Sequence, residues 1–128
     1  MKPNYSYLVI EDNVIDQIIT SKLLNKVDGV QQVNIANNGK EGIQWLNNYP
    51  VKQNEILIIL LDIKMPVMDG FGFLAEYENL NDELKKQTQI FILSSTLNID
   101  EINRGNNNLH VKSVLSKPLP FKEFSEMI

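Results

Sequence analysis

Five polar residues in this sequence stand at the ends of short apolar runs, and their types suit one kind of chemistry. Glu11 and Asp12 follow Tyr7-Leu-Val-Ile10, and Asp62 follows Ile56-Leu-Ile-Ile-Leu-Leu61. Ser94 follows Ile90-Phe-Ile-Leu93, and Lys117 closes the segment that begins at Val111. Three carboxylates packed together repel and raise one another's pKa, and a divalent cation relieves that. A donor set of oxygens, without histidine or cysteine, favours Mg²⁺, Mn²⁺ or Ca²⁺ over zinc or copper. An ammonium and a hydroxyl beside such a cation are groups for an anion. A metal, a lysine and a hydroxyl around a carboxylate are the parts needed to transfer a phosphoryl group onto it.

For these residues to meet, the apolar runs must be neighbouring strands. The sequence predicts five: Tyr7–Ile10, Val30–Ala36 nearer a sheet edge, Ile56–Leu61 at the centre, Ile90–Leu93 and Val111–Leu115. Six consecutive apolar residues suit a strand covered on both faces. A helix follows each strand. Asn13 caps the first, which runs to about Lys26 with Val14, Ile15, Ile18, Ile19 and Leu23 forming one apolar face, before Asp28-Gly29 breaks it. The second covers Lys40–Asn48 with Ile43 and Leu46 inward, between Asn37-Asn38-Gly39 and Pro50. The third runs from Phe71 to Leu80 with Phe71, Leu74 and Tyr77 inward, and Asn81–Gln87 reads as its end plus a loop. A short fourth helix, Ile99–Arg104, is terminated by Gly105-Asn-Asn-Asn108, and a fifth starts near Pro120 with Phe121, Phe124 and Ile128 on its core side. Strict alternation implies a parallel sheet with right-handed crossovers and helices on both faces, whose ligands sit beyond the carboxyl ends of the strands.

Composition narrows the function classes. The 128 residues make one domain, and 43% hydrophobic content is enough to build a core. Twelve basic against 16 acidic residues give a formal charge of −4, which argues against a dedicated nucleic-acid or anionic-membrane binder. No cysteine excludes disulfides, thiolate metal sites and cysteine nucleophiles, and His110 alone excludes sites needing two histidines. No signal-peptide core or spanning segment is visible, so the expectation is a cytoplasmic location away from membranes.

The motifs resemble the receiver domain of two-component response regulators, of the chemotaxis-receiver type. Leu-Val-Ile-Glu-Asp-Asn (8–13), Leu-Leu-Asp-Ile-Lys-Met-Pro-Val-Met-Asp-Gly (60–70), Ile-Leu-Ser-Ser (92–95) and Leu-Ser-Lys-Pro-Leu (115–119) occur in the family's order across almost the whole chain. The strand order 2-1-3-4-5 of a flavodoxin-like, doubly wound sheet is carried over from the resemblance, since this family is itself a reference case for it. The resemblance implies that Asp62 accepts the phosphoryl group, and that Glu11, Asp12, Asp62 and the Lys64 carbonyl hold Mg²⁺. It implies that Lys117 and Ser94 engage the phosphoryl oxygens and that a cis bond precedes Pro118. It further implies a sensor histidine kinase or histidine phosphotransfer protein as donor, a domain catalysing only its own modification, and no direct nucleic-acid contact. Family analogy also allows a phosphorylation-dependent homodimer through the fourth and fifth strand–helix face.

Some positions depart from the pattern or read differently alone. Glu11-Asp12 by itself suits a helix N-terminus equally well. Ser95 competes with Ser94. His110 reads as a surface residue and Trp45 as packing or partly exposed. Val114 stands where the family usually carries Tyr or Phe, which places activation on Ser94 and on backbone motion around Thr96 to Gly105. At the two positions that tune acyl-phosphate lifetime in the family this chain resembles, Lys64 and Thr96 offer no carboxylate or amide to orient an attacking water, and the resemblance then implies slow self-hydrolysis. The final helix closes only two turns before Ile128, so the chain was trimmed there or continues into another element. A pseudo-receiver that binds partners unphosphorylated is the alternative, although every acid and the lysine are retained. A haloacid-dehalogenase-type hydrolase would need a different sequence after the first strand, and a dinucleotide-binding domain or P-loop would need glycines absent here.

Overall fold

In the computed structural model, residues 4–27, 30–95 and 98–128 are described. The strands are β1 (Asn4–Ile10), β2 (Val30–Ala36), β3 (Glu55–Leu61), β4 (Thr88–Ser94) and β5 (Val111–Ser116). They form one parallel sheet in the order β2-β1-β3-β4-β5. The helices are α1 (Val14–Leu24), α2 (Gly39–Asn47), α3 (Gly70–Tyr77), α4 (Asp82–Lys86), α5 (Ile99–Asn106) and α6 (Phe121–Met127). The doubly wound architecture and the edge position of β2 match the sequence reading.

The period of two along each strand divides the core in two. Leu8 and Ile10, Leu57, Ile59 and Leu61, with Ile90 and Ile92, face a cluster closed by Ile43 and Leu46 of α2 and Phe73, Leu74 and Tyr77 of α3. Tyr7 and Val9, Ile58 and Leu60, with Phe91 and Leu93, face the opposite cluster, closed by Leu24 of α1 and Phe124 of α6. Phe124 seats its ring edge-on against Phe91 at 5.0 Å. Residues 57–61 are all buried, which is why β3 reads as an unbroken apolar run.

Four details differ from the sequence reading. The stretch Asn81–Gln87 contains α4: the Asn81 side chain accepts from the Glu83 N–H at 2.7 Å, with acids in the first turn and lysines in the last. α3 is shorter than expected, ending at Tyr77, and buries Phe73 while Phe71 is only partly covered. α5 runs through Gly105 instead of stopping before it. A Cβ there would meet Ile92 and Val114 at 2.9 Å, so this glycine permits close helix–sheet approach and is not a terminator. His110 is packed, not free on the surface: it pairs with Glu78 and meets Tyr77 edge-on at 5.1 Å.

The largest reversal concerns α1. Val14, Ile15, Ile18 and Ile19 remain 63%, 67%, 51% and 42% exposed, whereas Thr20 and Leu24 are buried. Polar anchoring sets this rotation. The Gln17 amide donates to the Glu11 carbonyl at 2.6 Å and to Asn37 at 2.8 Å, and the Asp16 carboxylate reaches Lys117. With 16, 17, 20 and 24 turned inward, the apolar face must point outward.

Candidate functional site

The ladder continues one step past the strand ends. The Glu11 N–H donates to Ala36 O at 3.0 Å, the Asp62 N–H to Ile10 O at 3.0 Å, and the Lys117 N–H to Ser94 O at 2.9 Å. These backbone bonds fix where the next side chains emerge. Glu11, Asp12, Asp62, Lys64, Ser94 and Lys117 line one cleft of about 290 Å³ at the carboxyl edge of the sheet, together with Asn13, Asp16 and Ser95. A larger groove of about 570 Å³ beside β2, with Trp45 stacked on Tyr49, contains none of the candidate residues.

Within the cleft Glu11, Asp12 and Asp62 each offer a carboxylate oxygen, all within 4.8 Å of one another. Glu11 is 3% and Asp62 9% exposed, whereas Asp12 stands open to solvent. Ser94 is buried at the end of β4, and Ser95 is exposed. The Lys117 ammonium donates to Glu11 Oε1 at 2.5 Å and to Asp16 Oδ2 at 2.9 Å, and it lies 3.7 Å from Asp62 Oδ1. Asp62 Oδ1 accepts the Ile63 N–H at 2.9 Å. The Lys117–Pro118 peptide bond is cis. Thr96, part of the segment expected to move, lies outside the described residues.

The loop after β3 frames the cleft. The Met68 N–H donates to Pro66 O at 2.8 Å, the Gly70 N–H to Ile63 O at 2.8 Å, and the Gly39 N–H to Met68 O at 3.0 Å. Met65 and Met68 pack against the core. Val67 holds φ at 69°, a costly conformation for a β-branched residue, imposed by the tight turn. Asp69 caps α3 through the Gly72 N–H at 2.8 Å.

Burial pushes the Glu11 carboxyl up from 4.5 to about 7, against the lowering effect of Lys117 and the Asn13 N–H. Burial likewise raises Asp62, opposed by the Lys117 charge. Burial pulls the Lys117 ammonium down, but pairing with Glu11 and Asp16 outweighs it and leaves the lysine above its ordinary value. Two buried acids held above the normal range mark a site where burial disfavours their charged forms.

Residues 7–128 match the response regulator receiver domain family. The chain belongs to that family. This receiver domain superposes on a response regulator receiver protein from Dyadobacter fermentans with a TM-score of 0.85 at 27% identity, covering 96% of this chain and 94% of that one. The phosphorylated cyanobacterial phytochrome response regulator RcpA gives a TM-score of 0.72 at 25% identity, covering 97% of this chain and 88% of that one. The Mn²⁺-bound form of response regulator Rcp1 gives 0.69 at 26%, covering 95% and 87%. A probable chemotaxis protein CheY of Rhizobium etli is 26% identical over 94% of this chain and 87% of its own length. Other curated relatives are much longer: the receiver domain spans 11% of a two-component system protein of Emericella nidulans and 28% of a methylesterase/glutaminase of Rhodospirillum rubrum. It is a signalling domain of two-component systems, with the fold and strand order of its structural neighbours. Among the described residues, no helix is long and apolar enough to cross a membrane.

The sequence motifs missed Asp16. Its one signal was its place three residues after the Asn13 cap, where an acid ordinarily reads as helix-dipole compensation.

Proposed function

We propose that this receiver domain is a phosphorylation-activated switch that accepts a phosphoryl group on Asp62 from a histidine kinase or histidine phosphotransfer protein. The observation that carries the reading is the meeting of Glu11, Asp12 and Asp62 within 4.8 Å, with Lys117 3.7 Å from Asp62. An Asp62 carboxylate oxygen attacks phosphorus. An O–P bond forms, and the bond from phosphorus to the donor nitrogen breaks. The nitrogen keeps that electron pair, and a proton already carried on the donor's other ring nitrogen lets it leave as neutral imidazole. Lys117 is positioned to meet the charge on the phosphoryl oxygens, and Ser94 to hydrogen-bond one of them. Both would report modification to β4 and β5 through their backbones.

The donor set fits a hard divalent cation. Three carboxylates supply only oxygen, the family resemblance adds the Lys64 carbonyl, whose residue lines the same cleft, and a cation would offset the charge of the buried acids. Mg²⁺ held by these residues would supply positive charge to offset that of the carboxylates and of an incoming phosphoryl group. The manganese-bound relative and the phosphorylated relative support this reading. Intact mass after incubation with acetyl phosphate is the test. A single phospho-adduct that forms with Mg²⁺ and not with a chelator supports the switch. No adduct on folded protein supports the pseudo-receiver.

The pH dependence follows from the raised acids. In metal-free protein the native state holds protons that the unfolded chain has released, so stability falls as pH rises from 4.5 through about 7. The raised Lys117 keeps its contribution throughout that window, because the window lies below the lysine's unfolded value. Mg²⁺ must displace the Glu11 proton, so its affinity should weaken about tenfold per pH unit below 7. Calorimetric titration at pH 5.5, 6.5 and 7.5 checks this. An affinity flat across that range contradicts it.

The outward face of α1 supports a helical protein as donor. Val14, Ile15, Ile18 and Ile19 begin directly after the Glu11–Asn13 turn, beside the cleft. Their three- and four-residue spacings put them on one apolar stripe, the kind of face by which a helix packs on others. Ile15→Asp with Ile18→Asp should cut phosphotransfer from the cognate protein donor by about 10- to 100-fold, while the acetyl phosphate rate stays within about twofold. Equal losses with both donors would point to damage of the cleft.

A further inference from the structure

Asp16 has no part in the phosphoacceptor reading, yet it is bonded to that site's lysine. It occupies the third position of α1, where an acid normally reaches back to the cap residue's N–H. That N–H, on Asn13, is already taken by Glu11 Oε2 at 3.1 Å, while the Asp16 N–H itself donates to Asn13 Oδ1 at 3.0 Å. The Asp16 carboxylate is therefore released from helix capping and turned to Lys117, a residue 101 positions away in the chain.

We propose that Asp16 is a positioning residue for Lys117. It occupies one ammonium N–H in the unmodified protein, holds the lysine out of hydrogen-bond range of Asp62, and surrenders that N–H to the phosphoryl oxygens. The proposal rests on the phosphoacceptor reading and adds to it the step that frees the lysine.

Burial decides which partner lets go. The Glu11 side chain is 5% exposed and the Asp16 side chain 36%. Water can replace Lys117 at Asp16 when the pair opens, and has far less access to the buried Glu11 carboxylate. Two effects then act in the same direction. Asp16 must give up Lys117 before the lysine can serve the phosphoryl group, and its charge adds a fourth carboxylate against an anionic donor.

The test compares wild type, Asp16→Asn and Asp16→Glu at saturating Mg²⁺, with acetyl phosphate as donor and intact mass as readout. Asp16→Asn should react about three- to tenfold faster, the range set by a partly exposed ion pair. Asp16→Glu, which keeps the charge, should return to within about twofold of wild type. In the unmodified proteins, NMR of ¹⁵N-labelled lysine ammonium groups gives a second readout that needs no chemistry. The Lys117 signal should be protected from exchange in wild type and Asp16→Glu, and lose protection in Asp16→Asn. An Asp16→Asn rate equal to or below wild type overturns the role of Asp16 alone, as does an unchanged Lys117 signal. Absence of any adduct on wild type overturns the phosphoacceptor reading, and this proposal with it.

Discussion

Asp62→Asn should abolish the phospho-adduct and at the same time stabilise the fold. The amide keeps the shape of the carboxylate, so Oδ1 can still accept the Ile63 N–H. It has no anionic oxygen to attack phosphorus, and the expected loss of modification is complete within detection. Stability should move the other way. Asp62 is 9% exposed, its pKa is raised by burial, and its carboxylate lies within 4.8 Å of those of Glu11 and Asp12. Removing a charge that burial penalises should therefore raise stability by about 1 kcal/mol, which is a few degrees in melting temperature for a domain of this size. The lost 3.7 Å attraction to Lys117 is outweighed by the relief from burial, and that lysine keeps two closer carboxylates. The two readouts together are diagnostic of a functional group held at the expense of stability. A variant that is less stable than wild type would show that Lys117 compensates Asp62 more fully than its distance suggests. An adduct persisting on Asp62→Asn would place the acceptor elsewhere.

Gly70→Ala should be the most damaging methyl in the loop. A Cβ at Gly70 would lie 2.5 Å from the Asp62 carbonyl oxygen and 3.0 Å from Ile63 Cα. Both obstacles are backbone, in the segment that carries the candidate acceptor, so neither can rotate away. The expected cost is about 2–4 kcal/mol, with an acetyl phosphate rate reduced beyond what the lost folded fraction explains. Gly72→Ala is the control two residues on. Its Cβ would first meet the Met68 side chain at 3.1 Å, which can shift, and alanine favours a helix interior by up to about 1 kcal/mol over glycine. Gly72→Ala should be near neutral. Chemical denaturation of both variants checks the contrast, and equal stabilities would show that the β3–α3 turn is softer than its contacts imply.

Much of this was legible in the chain. The alternation of apolar runs with amphipathic segments implies a parallel sheet. A polar residue directly after each strand must then emerge at one edge, because all parallel strands end there. That topological necessity is why Glu11, Asp12, Asp62, Ser94 and Lys117 could be grouped without knowing a single contact. The strand pattern of β3 was equally plain, since burial on both faces leaves no room for polar residues. The short helix α4 reads as loop in the sequence despite the Asn81 cap and the charges that follow it, because five residues give no apolar period to notice.

Tertiary structure decided the rest. Periodicity identified the apolar face of α1 but not where it points, because the rotation is set by polar bonds to partners elsewhere. Gln17 reaches the Asn37 side chain, and Asp16 reaches Lys117. Gly105 looked like a helix end, because glycine's local meaning is conformational freedom. In the fold it is the place where α5 touches Ile92 and Val114. A sequence records which residue types can meet at a sheet edge. Which carboxylate the lysine holds depends on distances between residues a hundred positions apart, and only the folded packing fixes those.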